Sequence, residues 1–561
     1  MTPIPFYLPF INYALRMELK CAGIDLGTSN TCAAMMKLGR ATTIELDNEK
    51  QLLASVFSHD KRNGTEVVGG VAKTRTISNS FFTVLNSKRV IGVPPSSPRV
   101  VNNPYLCGAE MKEGPDGGVV FYRKGFDFTI TPTEVAAKIL SHAKRQLEKK
   151  LDGSIDYVTI TYPVGFSPRQ FEETKKAIRL AGFKEGTYTL IDESSASAIA
   201  YIAEEHQYDG TLVMFDIGGG TFDVTIVRVK DGHITILNHI GDESFGGLAI
   251  DKKIAEFVDG ECFAIHGFHI LDPERANALR TYDRLLRKCE EAKRQLTVAP
   301  SADIDLEFPS SVCKAKNLED PNFSLTLMQS RVRELIQKDI DSCVAMTEKA
   351  ILECGLTKDD ITAVVLIGGT CRLPYVKTTL EAFFQRNIVM ENINPDTAVC
   401  IGACHYAKGW AQNKEKPFFT MDGRQLFIDP ILKENIMMDL GGEALHVVIP
   451  RGVPMEKKCF HVCLDTPNTT VSTMKTVLYA GNTKKRDGCT RLREIRWSGF
   501  PAKRSYVVHF VLFITLVAER CISVRVEDRV NKTVYFPETE IQYSHVCCKQ
   551  SRNPDIHHSR T

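Results

Sequence analysis

The sequence predicts an α/β fold in two similar halves, followed by a smaller β-rich domain, and short apolar runs are the first sign of it. Each run stops abruptly at a polar or glycine turn, which is typical of buried strands. The runs are CAGI before Asp25, YVTIT before Tyr162, LVMF before Asp216 and VVLI before Gly368.

Charged segments with helical spacing separate these runs and favour the α/β class. We expect helices at residues 132–150, 168–181 and 282–296. After about residue 408 the helical periodicity fades and strand-like runs take over. These later runs are at residues 444–449, 506–517 and 521–526.

An internal similarity indicates that the first domain is duplicated. The segments DLGT from Asp25 and DIGGGT from Asp216 both combine a strand end, an Asp, a glycine turn and a Thr. In a duplicated fold the two turns would face each other across a cleft, where ligands commonly bind.

Length, charge and cysteine content narrow the class of protein. A chain of 561 residues is too long for one core, so we expect two or three domains. Lys plus Arg number 70 and Asp plus Glu 68, so no net field favours nucleic acid or a membrane surface. Seventeen Cys at irregular spacing indicate reduced thiols, and we expect a cytoplasmic protein.

The two ends of the chain are expected to lie outside the folded domains. Residues 1–19 are interpreted as a disordered segment or a mis-called extension, because Met17 begins a plausible start and the apolar beginning has no cleavage site of a signal peptide. Residues 537–561 are polar and are expected to form a flexible tail.

Three glycine turns predict a phosphate-binding site. A phosphate chain needs backbone N–H groups that point inward with no side chain in the way, and a glycine turn after a strand provides them. An ordinary tight turn is equally rich in glycine, so a single turn decides nothing. The glycines are Gly27, Gly218, Gly219, Gly220, Gly368 and Gly369.

Two acids at these turns predict a magnesium site. Asp25 and Asp216 end buried strands, where an unpaired carboxylate is costly unless a cation is present. Mg²⁺ keeps most of its waters, so we expect both acids to hold it mainly through water. The alternative is that both simply cap their turns.

A charged helix face and an arginine predict where a nucleotide base would bind. Arg372 follows the third glycine turn, and its planar guanidinium could stack on adenine. On the preceding helix, side chains at three- and four-residue spacing share one face. These are Glu290, Lys293, Arg294 and Thr297. The alternative is an ordinary solvated face.

Together these motifs resemble the ATPase domain of the heat-shock-70 family. The segments that carry the resemblance are GIDLGTSNTC from Gly23, MFDIGGGTFDVTIV from Met214 and VVLIGGTCRLP from Val364, with GGVAK, KRVIG, CEEAKRQL and INPDTAV between or after them. The resemblance implies an actin-like (ribonuclease H-like) nucleotide-binding domain at residues 20–410. It also implies a linker at 411–429 and a degenerate substrate-binding domain of β-sandwich type at 430–536.

The resemblance also implies roles for individual residues. The phosphates of ATP or ADP would be held by the turn from Gly218 to Thr221 and by three residues of the first turn, Thr28, Ser29 and Asn30. Magnesium and the attacking water would depend on acids and hydroxyls at the same turns, namely Asp25, Glu193, Asp216, Thr221 and Asp223. Lys73 matches the family's active-site lysine and would hold the water, and Asp396 would line the cleft.

Several positions depart from the family's pattern. Ser194 stands where a proline usually follows the acid, and Phe171 stands in place of an arginine. Those two positions normally relay the nucleotide state to the linker, and Arg169 is a candidate substitute. After the second glycine pair, Leu248 and Ala249 replace an acidic pair.

The segment LFID at residues 426–429 resembles the family's hydrophobic linker, and the alternative is an ordinary first strand. About 130 residues follow it, enough for the β-sandwich but not for the family's helical lid. A lidless form resembles the ribosome-associated branch of the family. Without a lid, a bound peptide would leave faster.

The resemblance implies an ATP-dependent chaperone that couples ATP hydrolysis to binding of unfolded or nascent polypeptide. Its partners would be a J-domain co-chaperone, a nucleotide exchange factor and, from the likeness to the ribosome-associated branch, the ribosome. The alternative is a regulatory co-chaperone that binds ATP as a structural ligand without turnover. A sugar kinase or filament protein of the same wider fold is disfavoured by the family-specific segments and the linker.

Overall fold

A computed structural model describes most of the chain. The described residues are 19–101, 109–207, 209–271, 278–308, 310–316, 318–414, 418–421, 424–429, 435–450, 453, 459–467, 470–481, 484–486, 489–500, 507–518 and 521–542. The expectation for residues 1–18 falls outside them.

The first half of the first domain is a mixed sheet covered by helices. Its strands are β1 (Cys21–Leu26), β2 (Asn30–Lys37), β3 (Arg40–Thr43), β4 (Leu53–Ala54), β5 (Phe57–His59), β6 (Glu66–Val68), β7 (Thr83–Val84), β8 (Glu110–Glu113), β9 (Val119–Tyr122), β10 (Thr129–Ile130), β11 (Tyr157–Tyr162) and β12 (Tyr188–Asp192). Its helices are α1 (Gly70–Ser78), α2 (Pro98–Val101), α3 (Pro132–Lys150), α4 (Pro168–Leu180) and α5 (Glu193–Glu205). The main sheet has the order β12-β11-β1-β2-β3, with β4 beside β2.

The second half repeats this arrangement. Its strands are β13 (Gly210–Ile217), β14 (Phe222–Lys230), β15 (His233–Asp242), β16 (Ser301–Glu307), β17 (Asn322–Met328), β18 (Ala363–Ile367), β19 (Val389–Met390), β20 (Phe418–Met421) and β21 (Arg424–Asp429). Its helices are α6 (Gly247–His266), α7 (Ala278–Gln295), α8 (Ser310–Lys316), α9 (Gln329–Glu353) and α10 (Pro374–Phe384), and α11 (Ala398–Gln412) returns to pack on β1 and α5.

The two main sheets share one topology. The order β19-β18-β13-β14-β15 in the second half matches β12-β11-β1-β2-β3 in the first. In both, two parallel pairings are followed by two antiparallel ones. The duplication predicted from the two glycine turns is therefore present in the fold.

Local sequence signals explain where the helices begin. Thr131 caps α3 by accepting from the backbone N–H of Glu134, whose carboxylate accepts from the Thr131 N–H in return. Ser167 and Gln170 form the same capping box at the start of α4. Each box satisfies two backbone donors that the first turn of a helix leaves free, so both helices begin as predicted.

The predicted linker segment is a strand of the first domain. In β21, Phe427 and Ile428 pair in parallel with β15, and β20 pairs with β21 on the other side. Leu426 is buried in the core of the second half. The segment LFID therefore extends the sheet that carries the second glycine turn.

The C-terminal part consists of strands packed face to face. They are β22 (Asn435–Asp439), β23 (His446–Ile449), β24 (Cys459–Asp465), β25 (Thr473–Gly481), β26 (Thr490–Ser498), β27 (His509–Ala518), β28 (Cys521–Asp528) and β29 (Val534–Gln542). One sheet has the order β23-β22-β25-β26 and the other β24-β27-β28-β29. Side chains from both sheets, including Trp497 and Phe510, form one core. The molecule is therefore mixed α/β with a β-rich C-terminal part.

The end of the folded chain differs from the expectation. Residues 537–542 belong to β29, where Ile541 pairs with Ile522 and is buried in the core. The predicted flexible tail therefore does not include these six residues, and the rest of it lies outside the described part. No helix in the described part is both long and apolar enough to cross a membrane.

Candidate functional site

The glycine turns of the two halves meet across a cleft. The first turn joins β1 to β2, and the second joins β13 to β14. A Cβ atom added to Gly219 would overlap Ser29 Oγ, so the backbone of one turn lies against a side chain of the other. Glycine is required at position 219 for this close approach.

Two connected hollows form the cleft between the halves. The deeper one holds Asp25, Lys88, Glu193 and Asp216, and the outer one has a cavity volume of about 330 Å³. The walls of both hollows share residues of all three glycine turns and two residues from other segments, namely Thr28, Ser29, Asn30, Gly219 and Gly369, with Leu52 and Asp396. Ligand clefts of this size are typical of small-molecule sites.

The predicted turn residues lie at this cleft. The deeper hollow is also lined by Gly27, Gly218, Thr221 and Gly368. Gly220 faces the side chain of Arg89, whose Cδ would lie 2.9 Å from an added Cβ. Asp223 is reached through Thr221, whose hydroxyl donates to Asp223 Oδ2 at 3.0 Å.

Strand ends and one helix start position the acids. Asp25 lies in β1 and Asp216 at the matching place in β13. Glu193 is the first residue of α5, directly after β12. Asp192 caps this helix by accepting from the backbone N–H and the hydroxyl of Ser195, both at 2.8 Å. The cap therefore fixes the point from which Glu193 enters the cleft.

Burial and mutual repulsion disfavour negative charge on these acids. Burial, with the nearby charge of Glu193, raises the pKa of Asp25 to about 7. The same two causes raise the pKa of Asp216 well above its usual range, and burial raises the pKa of Glu193. Closely spaced carboxylates of this kind stay ionised together only when a cation neutralises them.

Lys88 is the cation that the structure places among these acids. Its Nζ donates to Glu193 Oε1 at 2.7 Å, and both side chains are largely buried. Burial lowers the pKa of Lys88, but the charges of Glu193 and Asp25 outweigh this and raise it overall. One ammonium against Asp25, Glu193 and Asp216 leaves a negative excess, which suits a divalent cation.

Magnesium fits this donor set through water. Within the described residues, no three His, Cys, Asp or Glu side chains converge closely enough to bind one ion directly. Mg²⁺ is commonly held by one or two carboxylates, several waters and substrate phosphates. Asp25 and Asp216, on opposite halves of the cleft, could bind an ion in this manner.

Lys73 is not among the acids, which corrects the expectation that it holds the attacking water. Its Nζ lies 2.7 Å from both carboxylate oxygens of Glu290, at the outer hollow. Helix α1 carries Lys73 toward α7, whereas the turn at Ser87–Val90 carries Lys88 into the deeper hollow. The ammonium of Lys73 is therefore engaged in closing the two halves against each other.

The predicted base-binding residues gather around the outer hollow. Glu290, Lys293, Arg294, Thr297 and Arg372 all line it. The hydroxyl of Thr297 donates to the Arg294 carbonyl at 2.8 Å. The charged face of α7 therefore points into the cleft.

Two of these cations have partners within the chain. Lys293 Nζ lies 2.7 Å from Asp251 Oδ1 and donates to the Gly247 carbonyl at 2.9 Å. Arg372 Nε donates to Asp396 Oδ2 at 2.7 Å, and its Nη2 donates to Asn394. Both side chains are thus held in place. Their contacts to a base stay predictions.

The positions that depart from the family pattern have their own contacts. Ser194 is buried and donates to Thr225 Oγ1 at 2.9 Å. Phe171 packs edge-on against Tyr162, with Lys175 over its ring. Arg169 bonds the Asp116 carbonyl at 2.8 Å. The Leu248 N–H donates to the Gly219 carbonyl at 2.8 Å, so its backbone, not a carboxylate, supports the turn.

Sequence reasoning missed Lys88 and Asp251 as functional candidates. Lys88 stands before the apolar pair Val90 and Ile91, and a lysine next to a buried run was the available signal. Asp251 follows an apolar helix start and is buried beside Lys293. Burial raises the pKa of Asp251 to about 6, and the charge of Lys293 opposes this.

Comparison with known proteins agrees with this geometry. The Hsp70 protein family model matches residues 21–438. Chaperone protein dnaK of Cyanidium caldarium is 29% identical over 462 residues, which cover 82% of this chain and 68% of that relative.

Two further relatives have similar names. The chaperone protein HscA homolog of Colwellia psychrerythraea is 27% identical over 508 residues, covering 90% of this chain and 75% of the relative. Chaperone protein dnaK of Cyanophora paradoxa is 30% identical over 389 residues, which cover 68% of this chain and 59% of that relative. Because the family model covers most of the sequence, the chain belongs to the Hsp70 protein family.

Proposed function

We propose that the chain is an ATPase with an actin-like nucleotide-binding domain that drives a chaperone cycle. The observation that carries this proposal is the deeper hollow, where Asp25, Glu193, Asp216 and Lys88 meet beside glycine turns from both halves. Phosphoryl transfer depends mainly on positioning and on charge stabilisation, and this arrangement offers both.

The glycine turns would hold the phosphates. Residues of both turns line the hollow, with Gly27, Thr28 and Ser29 from the first half and Gly218, Gly219 and Thr221 from the second. Backbone N–H groups of such turns bind anions without the conformational cost of long side chains. The base and ribose would lie in the outer hollow, between α7 and Arg372.

The acids and Lys88 would organise the attacking water. Asp25 and Asp216 would hold Mg²⁺ through water, and the ion would supply positive charge against the phosphates. Lys88, fixed by Glu193, would direct its remaining protons toward the γ-phosphate and the water. Asp223, held by Thr221, would orient the water from the second half. In this proposal Lys88 takes the role that was expected of Lys73.

The C-terminal β-rich part would bind exposed apolar polypeptide, and β21 would couple it to the nucleotide. The linker strand is anchored by Asp429, which accepts from Thr235 Oγ1 and lies 2.8 Å from His233 Nδ1. Strands β20 and β21 form the end of this sheet beside β15, and a pair that docks there in one nucleotide state and leaves in the other would be a two-state element.

The kinds of partner follow from the named relatives. Three relatives carry the name chaperone protein dnaK or HscA homolog. We propose unfolded or nascent polypeptide as the client, with a J-domain co-chaperone and a nucleotide exchange factor, in the cytoplasm.

Steady-state ATP hydrolysis with and without an apolar model peptide tests this function. We expect turnover that the peptide stimulates and that Lys88→Met abolishes. Tight binding of ATP without turnover would instead favour a structural role for the nucleotide. ATP turnover that the peptide leaves unchanged would support the ATPase part of the proposal and contradict the coupling to polypeptide binding.

A further inference from the structure

A histidine of β15 connects the two halves behind the candidate site. His239 Nε2 lies 3.4 Å from Asp223 Oδ1, and His239 Nδ1 lies 3.2 Å from Thr225 Oγ1. A Cβ added to Gly165, in the first half, would lie 3.4 Å from the same Nε2. The ring is therefore confined between the halves, next to an acid of the proposed site.

The hydrogen bonds around this ring have a direction. Ser194 Oγ donates to Thr225 Oγ1, so the hydroxyl proton of Thr225 is free to be donated onward. A neutral imidazole donates from one nitrogen and accepts at the other. If Thr225 donates to Nδ1, the ring proton is on Nε2, which faces the Asp223 carboxylate.

The carboxylate of Asp223 is held on both oxygens. Oδ2 accepts from the Thr221 hydroxyl at 3.0 Å, and Oδ1 faces the imidazole. Gly241 lies opposite Asp223 in the β14–β15 pairing, and an added Cβ there would lie 2.6 Å from Oδ1. The space beside Oδ1 therefore exists because residue 241 has no side chain.

We infer that His239 is a positioning residue for Asp223. With its Nε2 proton directed at Asp223, it fixes the orientation of the carboxylate through the chain Ser194–Thr225–His239. Second-layer groups of this kind orient a ligand or a catalytic acid without touching the substrate. The inference deepens the proposed function and rests on it for the consequence that Asp223 orients water.

The tautomer can be measured without any turnover. We would record the imidazole ¹⁵N resonances of the full chain and assign those of His239 by their loss in His239→Gln. The expected result is a protonated Nε2 and an unprotonated Nδ1, and the Nδ1 resonance should shift in Thr225→Val. A ring protonated on Nδ1, or a spectrum that Thr225→Val leaves unchanged, would overturn the inference.

Single-turnover hydrolysis and ATP affinity test the positioning role. His239→Leu should lower the hydrolysis rate constant by about 10- to 100-fold while the Kd for ATP stays nearly constant. His239→Gln keeps an N–H donor and should restore most of the rate.

The matched control is His269→Leu, because His269 Nδ1 lies 2.7 Å from Asp259 Oδ2 in the same half but outside the site. This variant should hydrolyse ATP like the unaltered chain. Equal losses in His239→Leu and His239→Gln would refute positioning through a donor. Lack of hydrolysis by the unaltered chain would refute the proposed function, and the tautomer measurement would still decide the inference.

Discussion

Lys73 and Glu290 form a two-pronged ion pair across the mouth of the cleft, with Nζ 2.7 Å from each carboxylate oxygen. Lys73 belongs to α1 of the first half and Glu290 to α7 of the second. The pair is partly exposed, so it contributes modestly to stability. Its position indicates that it holds the halves together over the outer hollow.

Replacing each of the two lysines by methionine should show which one acts in ATP hydrolysis and which one holds the two halves together. Lys88→Met removes the buried ammonium beside Glu193, and we expect single-turnover hydrolysis to slow by about 10²- to 10³-fold. Lys73→Met should slow the same step by less than about tenfold, because its ammonium does not reach the acids. Rapid quench of the full chain with bound ATP measures both. A larger loss in Lys73→Met would restore Lys73 as the active-site lysine.

Loss of the Lys73–Glu290 pair should speed nucleotide release. An exposed pair is worth roughly 0.2 to 1 kcal/mol, so Lys73→Ala should raise the dissociation rate of ADP by about 1.4- to fivefold. Stopped-flow with a fluorescent ADP analogue measures this rate. Lys144→Ala is the matched control, because the Lys144–Glu148 pair has similar exposure on α3. Equal rates in both variants would show that the pair does not retain nucleotide.

An added methyl group at the contact between the turns should weaken ATP binding. Gly219→Ala places a Cβ onto Ser29 Oγ, and overpacking of this kind costs about 1 to 3 kcal/mol, which corresponds to about 5- to 150-fold in affinity. Isothermal titration measures the Kd for ATP. Gly260→Ala, in α6 with open space around it, should leave affinity unchanged and raise helix stability by roughly 0.5 to 1 kcal/mol. Unchanged affinity for ATP in Gly219→Ala would mean that the turns carrying Ser29 and Gly219 can move apart without weakening nucleotide binding.

The sequence predicted the fold correctly where the spacing of apolar residues and the capping or turn residues indicate the same element. The helix predicted at residues 132–150 has the same bounds in the structure, because Thr131 and Glu134 form a capping box. The positions of Asp25 and Asp216 at strand ends were predictable because each follows a short apolar run and precedes a glycine turn. The duplication followed from two short segments with the same order of residue types.

The sequence did not predict which side chains meet in the cleft. Lys73 and Lys88 each occur in a short segment of the family, and only the packing of α1 against α7 and of the turn at Ser87–Val90 decides which one meets the acids. His239 was missed because strands β14 and β15 change register between Ile226 and Val227. Such a shift changes which side chains face each other, and alternation in one strand does not reveal it.

Strand β21, the proposed linker, should loosen when the carboxylate at its end is removed. Asp429 accepts from Thr235 and contacts His233, and each bond is worth about 0.5 to 1.5 kcal/mol. In Asp429→Ala we expect amide hydrogen exchange of Arg424–Asp429 to accelerate by about 5- to 100-fold. Asp303→Ala is the control, because it removes a similar Thr–Asp bond from the β16–β17 hairpin. Unchanged exchange at β21 would show that backbone pairing alone holds the linker.

The β-rich part should lose stability in acid through one ion pair. Arg486 donates to both oxygens of Asp439, at 2.7 and 2.8 Å, and this hydrogen bonding lowers the Asp439 pKa to about 2. Because this pKa is below the unfolded value near 3.8, the pair stabilises the fold above about pH 4. That contribution disappears as the pH falls from about 4 to 2.

Asp439→Asn should therefore lower the free energy of unfolding by about 1 kcal/mol at pH 7, and the difference from the unaltered side chain should shrink toward pH 2. Urea titration in a Trp410→Phe background reads Trp497, which is buried in this core. Asp465→Asn serves as the control for an exposed acid of the other sheet, since Asp465 contacts His509 rather than an arginine. Protonation of the Asp439 carboxylate removes the same charge that the substitution removes. If the difference in free energy of unfolding stays constant between pH 7 and pH 2, the role of Asp439 is therefore contradicted.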